Sequence, residues 1–337
     1  MKQEQESFAY YVTKYFTEYL PEHRGLSENT VKSYRDSIVL LLKFFQEQLH
    51  ISADHICYSN FTSDNLEKFL MWLEIDRGNS ASTCNQRLAA IHSFFRYVQY
   101  KAPECFEQSN IVLSVPFRKA HQVPMNYMSL DEVKSLLAKP NQTTRNGLRD
   151  MAILVTLYET AARVQELIDL KVSSVRFGNP TVVTLYGKGE KTRLVPINTE
   201  ATRILKRYIQ VWELTSPEEP LFMNRNGKKL TRAGIQYIIN KYIATVHEDH
   251  PEYFGRKISN HSFRHSKAMH LLESGVNLIY IRDFLGHSSV TTTEIYAKTN
   301  PKIKEEQLIK HSKGLEQHHR YSKKQKDNLL SWLKNSL

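Results

Sequence analysis

Apolar and polar positions follow the period of an α-helix through the first third of the chain. Apolar residues recur every three or four positions between Val31 and Phe45, which places them on one stripe of a helix that begins near Ser27. Three other stretches show the same spacing, and polar connections separate them. Four amphipathic helices of this kind predict a small bundle. The predicted helices begin near Phe8, Ser27, Thr62 and Ser80 to Ser82.

A segment without periodicity separates this bundle from the rest of the chain. Val115–Pro124 contains two prolines and two basic residues, which is typical of an extended linker. A new helix is expected beyond it, because Ser129 and Glu132 have the spacing of a capping box. The predicted organisation is an N-terminal domain over residues 1–116, a linker over 117–127, a second domain over 128–312 and a basic tail over 313–337.

The second half mixes helical and strand patterns. Thr181–Tyr186 and Thr192–Ile197 are rich in β-branched residues, and the five residues between them include two glycines. This arrangement predicts an antiparallel hairpin with its tip at Gly187–Lys191. The predicted fold class is therefore mostly α with a small antiparallel β-sheet (α+β). Helices are expected at about 129–139, 146–160, 199–213, 231–247, 262–274, 277–285 and 288–296.

Composition and charge narrow the class of protein. Of the 337 residues, 41% are hydrophobic and 24% are charged, which is typical of a folded chain with two domains. Residues 1–117 carry 11 Lys and Arg against 14 Asp and Glu, whereas the remainder carries 35 against 21. The second half is therefore expected to face a polyanion. No membrane-spanning stretch and no signal peptide is visible, so a cytoplasmic protein is expected.

Four clusters of reactive side chains lie in the second half. Each has an ordinary explanation when taken singly, such as a surface arginine, a turn lysine or a packing tyrosine. Two histidines four residues apart could hold a metal, but the glutamate of an HExxH motif is missing and an arginine would lie beside the cation. No metal site is predicted. The clusters contain Arg163 with Glu166, Lys188, His261 with Arg264 and His265, and His287 with Tyr296 nine residues on.

Taken together, the clusters resemble the motifs of the tyrosine recombinases, the phage integrase family. His261-Ser-Phe-Arg264-His265, followed by Leu285-Gly-His287 and Tyr296, resembles the C-terminal box of that family. Arg163 with Glu166 resembles its first arginine box, and Gly187-Lys188-Gly resembles the hairpin that carries its lysine. In the first half, Ser27–Tyr34 and Thr83–Leu88 resemble the core-binding helices of the Xer type. The resemblance covers nearly the whole chain and implies an N-terminal SAM-like core-binding domain before a catalytic domain.

The resemblance implies a DNA strand transferase that needs no metal, cofactor or ATP. Tyr296 would form a 3′-phosphotyrosyl intermediate, and Lys188 would protonate the departing 5′ oxygen. Arg163 and Arg264 suit the phosphoryl oxygens, because a planar guanidinium donates two parallel hydrogen bonds. The family pattern assigns the remaining supporting roles to three side chains: proton removal from the tyrosine to His261, a hydrogen bond to a non-bridging oxygen to His287, and orientation of Arg163 or the histidines to Glu166.

The resemblance also implies the partners and leaves two other functions open. The expected substrate is double-stranded DNA with an inverted-repeat core site, bound by a homo-tetramer, possibly with a related recombinase, that works through a Holliday junction. The task would be integration, excision, transposition or chromosome dimer resolution in a nucleoid-associated protein. The alternatives are a type IB topoisomerase-like enzyme and a catalytically silent DNA-binding helper. Further DNA contacts are expected from Lys32, Arg35, Asn85, Arg87, Lys191 and Arg193.

Two short segments depart from the family pattern, and one lies beyond it. Ala161-Ala162 replace a glycine and a larger apolar residue, and Ser266-Lys267 replace a threonine and a small or aromatic residue. Neither change removes a reactive group. Residues 322–337 place leucines and a tryptophan on one side of a short amphipathic helix, which we expect to dock on a neighbouring protomer. The alternative is that this helix folds back on its own domain.

Overall fold

The computed structural model describes residues 7–120, 125–187 and 191–299. The chain divides into two compact units, Met1–Val123 and Pro124–Leu337, which we call unit 1 and unit 2. In the part of the chain that the structure describes, no helix combines the length and the apolar character that a membrane span requires. The domain boundaries proposed from the sequence remain predictions.

Unit 1 is a helical bundle. The four predicted helices are present, and the first of them continues from Lys14 as a π-helix over Tyr15–His23. A further short helix, Phe106–Ser114, was not predicted, because it buries only Ser109 and Val112 and so carries almost no apolar stripe. The helices are α1 (Phe8–Lys14), α2 (Glu28–Gln48), α3 (Ser63–Ile75), α4 (Ala81–Lys101) and α5 (Phe106–Ser114).

Side-chain caps explain where α3 and α4 begin. The hydroxyls of Thr62 and Ser80 accept hydrogen bonds from backbone amides of the first turns of α3 and α4, at the positions where the sequence predicts that these helices start. Ser27 is the residue before α2, but its hydroxyl hydrogen-bonds the Thr30 hydroxyl at 3.0 Å instead of an amide. The core that these helices enclose is rich in aromatic rings. Phe61, Phe94 and Phe95, for example, are completely buried.

Unit 2 is mixed, as predicted. Within the described residues its sheet has three antiparallel strands, β1 (Val175–Arg176), β2 (Thr181–Tyr186) and β3 (Thr192–Ile197), in the order β1-β2-β3. Strands β2 and β3 form the predicted hairpin, in which Tyr186 pairs with Thr192. In this unit, strand β1 and the helix over Val164–Ile168 were not predicted, because two and five residues are too few to show a period.

The helices of unit 2 surround a buried central helix, α7 (Arg145–Thr160). This helix packs against α9 (Thr199–Val211) and α11 (Asn260–Glu273), and its Leu154 and Leu157 are fully buried. The predicted capping box before α6 is present, with the Ser129 amide donating to Glu132 at 2.7 Å and the Glu132 amide donating to the Ser129 hydroxyl at 3.2 Å. The helices are α6 (Leu130–Ala138), α7 (Arg145–Thr160), α8 (Val164–Ile168), α9 (Thr199–Val211), α10 (Arg232–Asp249), α11 (Asn260–Glu273), α12 (Leu278–Leu285) and α13 (Thr291–Thr299).

Candidate active site

A sharp turn presents Arg163 at the end of α7. The helix stops at Thr160, and Ala161 adopts a left-handed conformation with φ 47° before the chain enters α8. The Arg163 Nη1 donates to Glu166 Oε1 at 2.7 Å, and its backbone amide donates to Glu166 Oε2 at 2.8 Å. The Arg163 side chain is 37% exposed, so its guanidinium is held by the carboxylate and still accessible.

Arg264 is a buried cation. It lies on α11, is only 4% exposed, and donates from Nη1 to the Ala161 carbonyl at 2.9 Å and from Nη2 to the Leu285 carbonyl. Within the described residues it makes no ion pair with a carboxylate. Burial, followed by repulsion from Arg163 and Arg193, lowers the pKa of Arg264 to about 10, so it remains charged at neutral pH. The site therefore holds a positive charge that a bound anion would neutralise.

Tyr296 contacts a histidine that the sequence analysis did not assign to catalysis. The Tyr296 hydroxyl lies 3.1 Å from Nδ1 of His265, and the tyrosine side chain is 1% exposed. Burial raises the pKa of Tyr296, while the charges of Arg264 and Arg163 oppose that rise. Burial and the neighbouring His261 and Arg264 lower the pKa of His265 to about 4, so its ring is neutral at pH 7. The motif His-x-x-Arg-His was the signal that could have found His265.

His287 follows the end of α12. Gly286 takes the left-handed conformation with φ 65°, which turns the chain, and His287 Nδ1 then lies 2.9 Å from the hydroxyl of the buried Thr293. Burial, then Arg264 and Arg163, lower the pKa of His287 to about 4. A neutral imidazole in this position can donate one hydrogen bond and accept another.

These segments surround a pocket of about 430 Å³. Its positive side chains come from two separate segments: Arg163 from the turn after α7, and Lys191 and Arg193 from strand β3 and the turn before it. The loop after α12 contributes the neutral His287. The buried Tyr296 is not among its lining residues, so the hydroxyl would have to move to reach a group bound there. The lining residues are Arg163, Gly187, Lys191, Thr192, Arg193, Asp283, Gly286, His287, Ser288 and Thr292.

The predicted catalytic residues are only partly brought together. Arg163 and His287 line the pocket, while Arg264 and Tyr296 are buried. His261 is exposed, and its ring lies 6.4 Å from that of His265, with partial desolvation and then Arg264 lowering the pKa of His261. Lys188 and the predicted helix over 322–337 lie outside the described residues.

The predicted DNA contacts fall into two groups. Lys32 and Arg35 are exposed near the start of α2, where they pair with Glu28 and Asp36, and Lys191 is exposed beside the pocket. The other three are engaged within the protein. Asn85 exchanges two 2.7 Å hydrogen bonds with the Arg118 backbone, Arg87 donates to Ser33 and Ser37, and Arg193 pairs with Glu166.

The residues that depart from the family pattern have structural partners. The Ser266 hydroxyl donates to the Ser262 carbonyl at 2.7 Å and accepts from the Met128 amide at 2.8 Å. Lys267 lies 3.3 Å from Glu159 and over the ring of Tyr158. The Lys267 contacts join α11 to α7, which are the helices that carry or precede the two arginines, and the Met128 contact joins α11 to the segment before α6. Within the described ranges, no group of three or more His, Cys, Asp or Glu is arranged to hold a metal ion.

Comparison with known proteins shows which sequence family the chain matches. The sequence model of the phage integrase family matches residues 126–302, and that of the phage integrase N-terminal SAM-like domain matches residues 13–100. The chain is 34% identical to integrase/recombinase y4rC of Sinorhizobium fredii over 98% of both chains. It is 30% identical to tyrosine recombinase XerD of Listeria monocytogenes, over 83% of this chain and 91% of that one.

A solved structure shares the fold. The site-specific recombinase XerH, captured with a palindromic difH substrate after cleavage, superposes with a TM-score of 0.67 at 21% identity. The similarity covers 85% of this chain and 80% of that one. The helical unit followed by a mixed unit with a small sheet is therefore an arrangement already observed in a DNA-bound enzyme.

Proposed function

The chain belongs to the phage integrase family of tyrosine recombinases, and we propose that Tyr296 is the nucleophile with which it cuts DNA. The protein is a site-specific recombinase that cuts and rejoins DNA strands. The residue roles, the assembly and the DNA site given below go beyond this family activity and are proposals.

One observation carries the assignment of the site. Arg264 is buried without a carboxylate partner among the described residues, and it lies in the same constellation as Arg163, His287 and Tyr296. An unpaired buried cation is costly unless a ligand compensates it. A phosphodiester is such a ligand, and it gains negative charge on its oxygens when a nucleophile attacks. The same charges that are costly in the free protein therefore stabilise the transition state.

The proposed reaction transfers a phosphoryl group without a metal. The Tyr296 oxygen attacks phosphorus, the bond from phosphorus to the 5′ oxygen breaks, and a 3′-phosphotyrosyl bond forms. Lys188 supplies a proton to the 5′ oxygen, and a histidine receives the phenolic proton. His261 is the histidine assigned from the family pattern, while His265 is the one in contact with the hydroxyl. Religation reverses these steps and conserves the energy of the phosphodiester.

The assembly is proposed by analogy with relatives. A structural relative binds a palindromic substrate, which supports an inverted-repeat site for this chain. We expect four protomers on two synapsed sites, exchange through a Holliday junction, and contacts to DNA from Lys32, Arg35 and Lys191, which are exposed. Association with the nucleoid follows from that substrate. Full-length similarity to an integrase/recombinase supports a task in the movement of a genetic element.

A suicide substrate tests the proposal. The DNA site would first be selected from a random duplex library by binding to Tyr296→Phe. A substrate with that site would then carry a nick in the scissile strand, so that the short fragment released with a free 5′ hydroxyl diffuses away after cleavage. The wild-type protein should form an adduct that survives denaturation, in EDTA as well as in magnesium, and Tyr296→Phe should form none. An adduct that persists in Tyr296→Phe contradicts the assignment. Absence of any adduct from the wild type favours the silent helper, and relaxation of supercoiled plasmid without a selected site favours a topoisomerase-like enzyme.

A further inference from the structure

Arg193 points into the site and not towards solvent. It lies in β3, its side chain is 11% exposed, and its Nη1 and Nη2 donate to Oε1 and Oε2 of Glu166 at 3.0 and 2.7 Å. These are the two parallel bonds of a bidentate guanidinium–carboxylate pair. Its Nε is buried and has no partner among the described residues. Arg193 is therefore poorly placed for the DNA contact that its sequence position indicates.

The carboxylate of Glu166 connects two arginines. It is 5% exposed, and each of its oxygens accepts one bond from Arg193 and one from Arg163. Burial raises the pKa of this carboxyl, but the hydrogen bonds and charge of Arg193, followed by the hydrogen bonds of Arg163, outweigh it and lower the pKa of Glu166. Arg193 binds Glu166 from the hairpin side and so fixes the plane of its carboxylate. Arg163 binds the same carboxylate from the other side.

One glycine leaves room for this pair, and a second lies beside it. A Cβ on Gly286 would lie 3.2 Å from Nη1 and 3.3 Å from Cδ of Arg193. A Cβ on Gly187 would lie 3.6 Å from Glu166 Oε1 and 3.2 Å from the Lys191 carbonyl. The Arg193 guanidinium therefore lies beside Gly286, the residue before His287. The Glu166 carboxylate lies beside Gly187, the residue before Lys188. The pair meets three segments that carry proposed catalytic residues.

The charges of Arg163, Glu166 and Arg193 matter as much as the geometry of their contacts. Two guanidiniums and one carboxylate leave one positive charge, whereas Arg163 and Glu166 alone would form a neutral pair. With Arg193 present, Arg163 keeps attraction for a phosphate although it is bound to a carboxylate. Without Arg193, the negative charge of Glu166 would act on Arg163 alone, and the positive electrostatic potential at the phosphate would be weaker.

We infer that Arg193 is a positioning residue for strand cleavage: it holds Glu166, and through it Arg163, in the orientation and charge state that the scissile phosphate requires. This inference rests on the proposed role of Arg163 at the phosphate. Arg193 acts through Glu166 and does not touch the DNA. Its loss should therefore affect the rate of cleavage and spare the affinity for DNA.

The test separates rate from affinity in the full-length protein. Adduct formation on the nicked substrate is measured in a single turnover at saturating DNA, and Kd is measured separately. Arg193→Met should slow adduct formation by about 10- to 100-fold, the scale for a misplaced reacting group, with Kd changed by less than about threefold. Arg193→Lys keeps the charge but not the parallel bonds, and should lie in between. The matched control is Arg203→Met, because Arg203 is 74% exposed on α9 and pairs with Glu200 on the same helix; it should change neither quantity.

A double-mutant cycle tests the route through Glu166. In a Glu166→Gln background, Arg193→Met should cost less than about threefold in rate, since the carboxylate through which it acts is gone. A full additional loss in that background, or a loss confined to Kd, would overturn the inference and make Arg193 a direct DNA contact. If Arg193→Met fails to fold, Arg193→Lys in both backgrounds gives the same comparison. A wild type without a Tyr296 adduct would instead refute the proposed function, and a wild-type rate in Arg193→Met refutes only the inference.

Discussion

Unit 1 and unit 2 bury different kinds of side chain. In residues 7–120 no Asp, Glu, Lys or Arg is buried, and the core is made of aliphatic and aromatic groups such as Phe61, Phe94 and Phe95. Unit 2 has an aliphatic core of its own, but it also buries charged groups, namely Glu132, Asp150, Glu166 and Arg264. Charged groups are costly to bury, so their presence in one unit alone requires an explanation.

The buried charges of unit 2 differ in how they are compensated. Glu132 accepts from Arg256 and from backbone amides, and Asp150 accepts from Arg149, Lys241 and Tyr242. These carboxylates are paired and can be understood as structural. Arg264 has only carbonyl oxygens as hydrogen-bond acceptors among the described residues. The comparison teaches that unit 1 is organised by packing, while unit 2 also maintains an electrostatic site at a cost to its own stability.

The largest effect should come from a cavity in unit 1. Phe95 is fully buried, with ring centroids 4.9 Å from Phe61 and 5.3 Å from Phe94. Phe95→Ala should lower the free energy of unfolding of unit 1 by about 3–5 kcal/mol, because it removes a ring and leaves a void. Hydrogen exchange of the full chain, followed by mass spectrometry, would report each unit separately. The control Ile75→Ala, at a side chain that is 74% exposed, should change stability by less than about 0.5 kcal/mol; equal losses would contradict an apolar core in unit 1.

Removal of the Arg264 cation should reduce the rate of cleavage more than the affinity for DNA. Arg264→Ala should slow adduct formation by about 100-fold or more, which corresponds to roughly 3 kcal/mol in the barrier, the scale for losing a charged donor to the transition state. DNA affinity should fall much less, since many other cations can contact phosphates. Single-turnover cleavage and filter binding would measure both, with Arg203→Ala as the exposed control. If rate and affinity fell in equal proportion, Arg264 would be only a binding residue.

Acid should weaken unit 2 more than unit 1. The pKa values of His265 and His287 are about 4 in the folded protein, whereas histidines in an unfolded chain titrate near about 6.5. Between these values the unfolded state binds more protons, so the free energy of unfolding should decrease as the pH falls from about 6.5 towards about 4. Hydrogen exchange at pH 7 and 5 would compare the units. His265→Gln should flatten the dependence in unit 2, and an equal decline in both units would contradict this account.

The smallest effect concerns strain at the active-site turn. Ala161 has φ 47°, whereas its buried neighbour Ala162 is not among the residues with positive φ. Replacement of either by Gly removes one buried methyl group, but only Ala161→Gly relieves a left-handed alanine. Ala161→Gly should therefore cost about 1 kcal/mol less than Ala162→Gly in urea denaturation. The same cost for both would mean that the turn is not strained.

Local pattern was sufficient for much of the fold. The hairpin strands have the bounds that the sequence predicts, and the capping box at Ser129 and Glu132 is present. Such features depend on residues a few positions apart, where side-chain spacing and turn chemistry decide the backbone. Helix Phe106–Ser114, strand β1 and helix α8 were missed, because short elements carry too little pattern and owe their conformation to neighbours.

Residue identity and order were enough to indicate the family, the mixed fold class and the candidate reactive residues. Which of these residues meet depends on how distant segments pack. Arg193 reaches Glu166 across 27 positions, His265 reaches Tyr296 across 31, and Arg264 reaches the Ala161 carbonyl across 103. Spacing along the chain does not set such distances. These distances follow from how α7, α11 and the hairpin pack. The packing of their apolar faces sets the positions of the backbones, and those positions determine which polar side chains are close enough to bond.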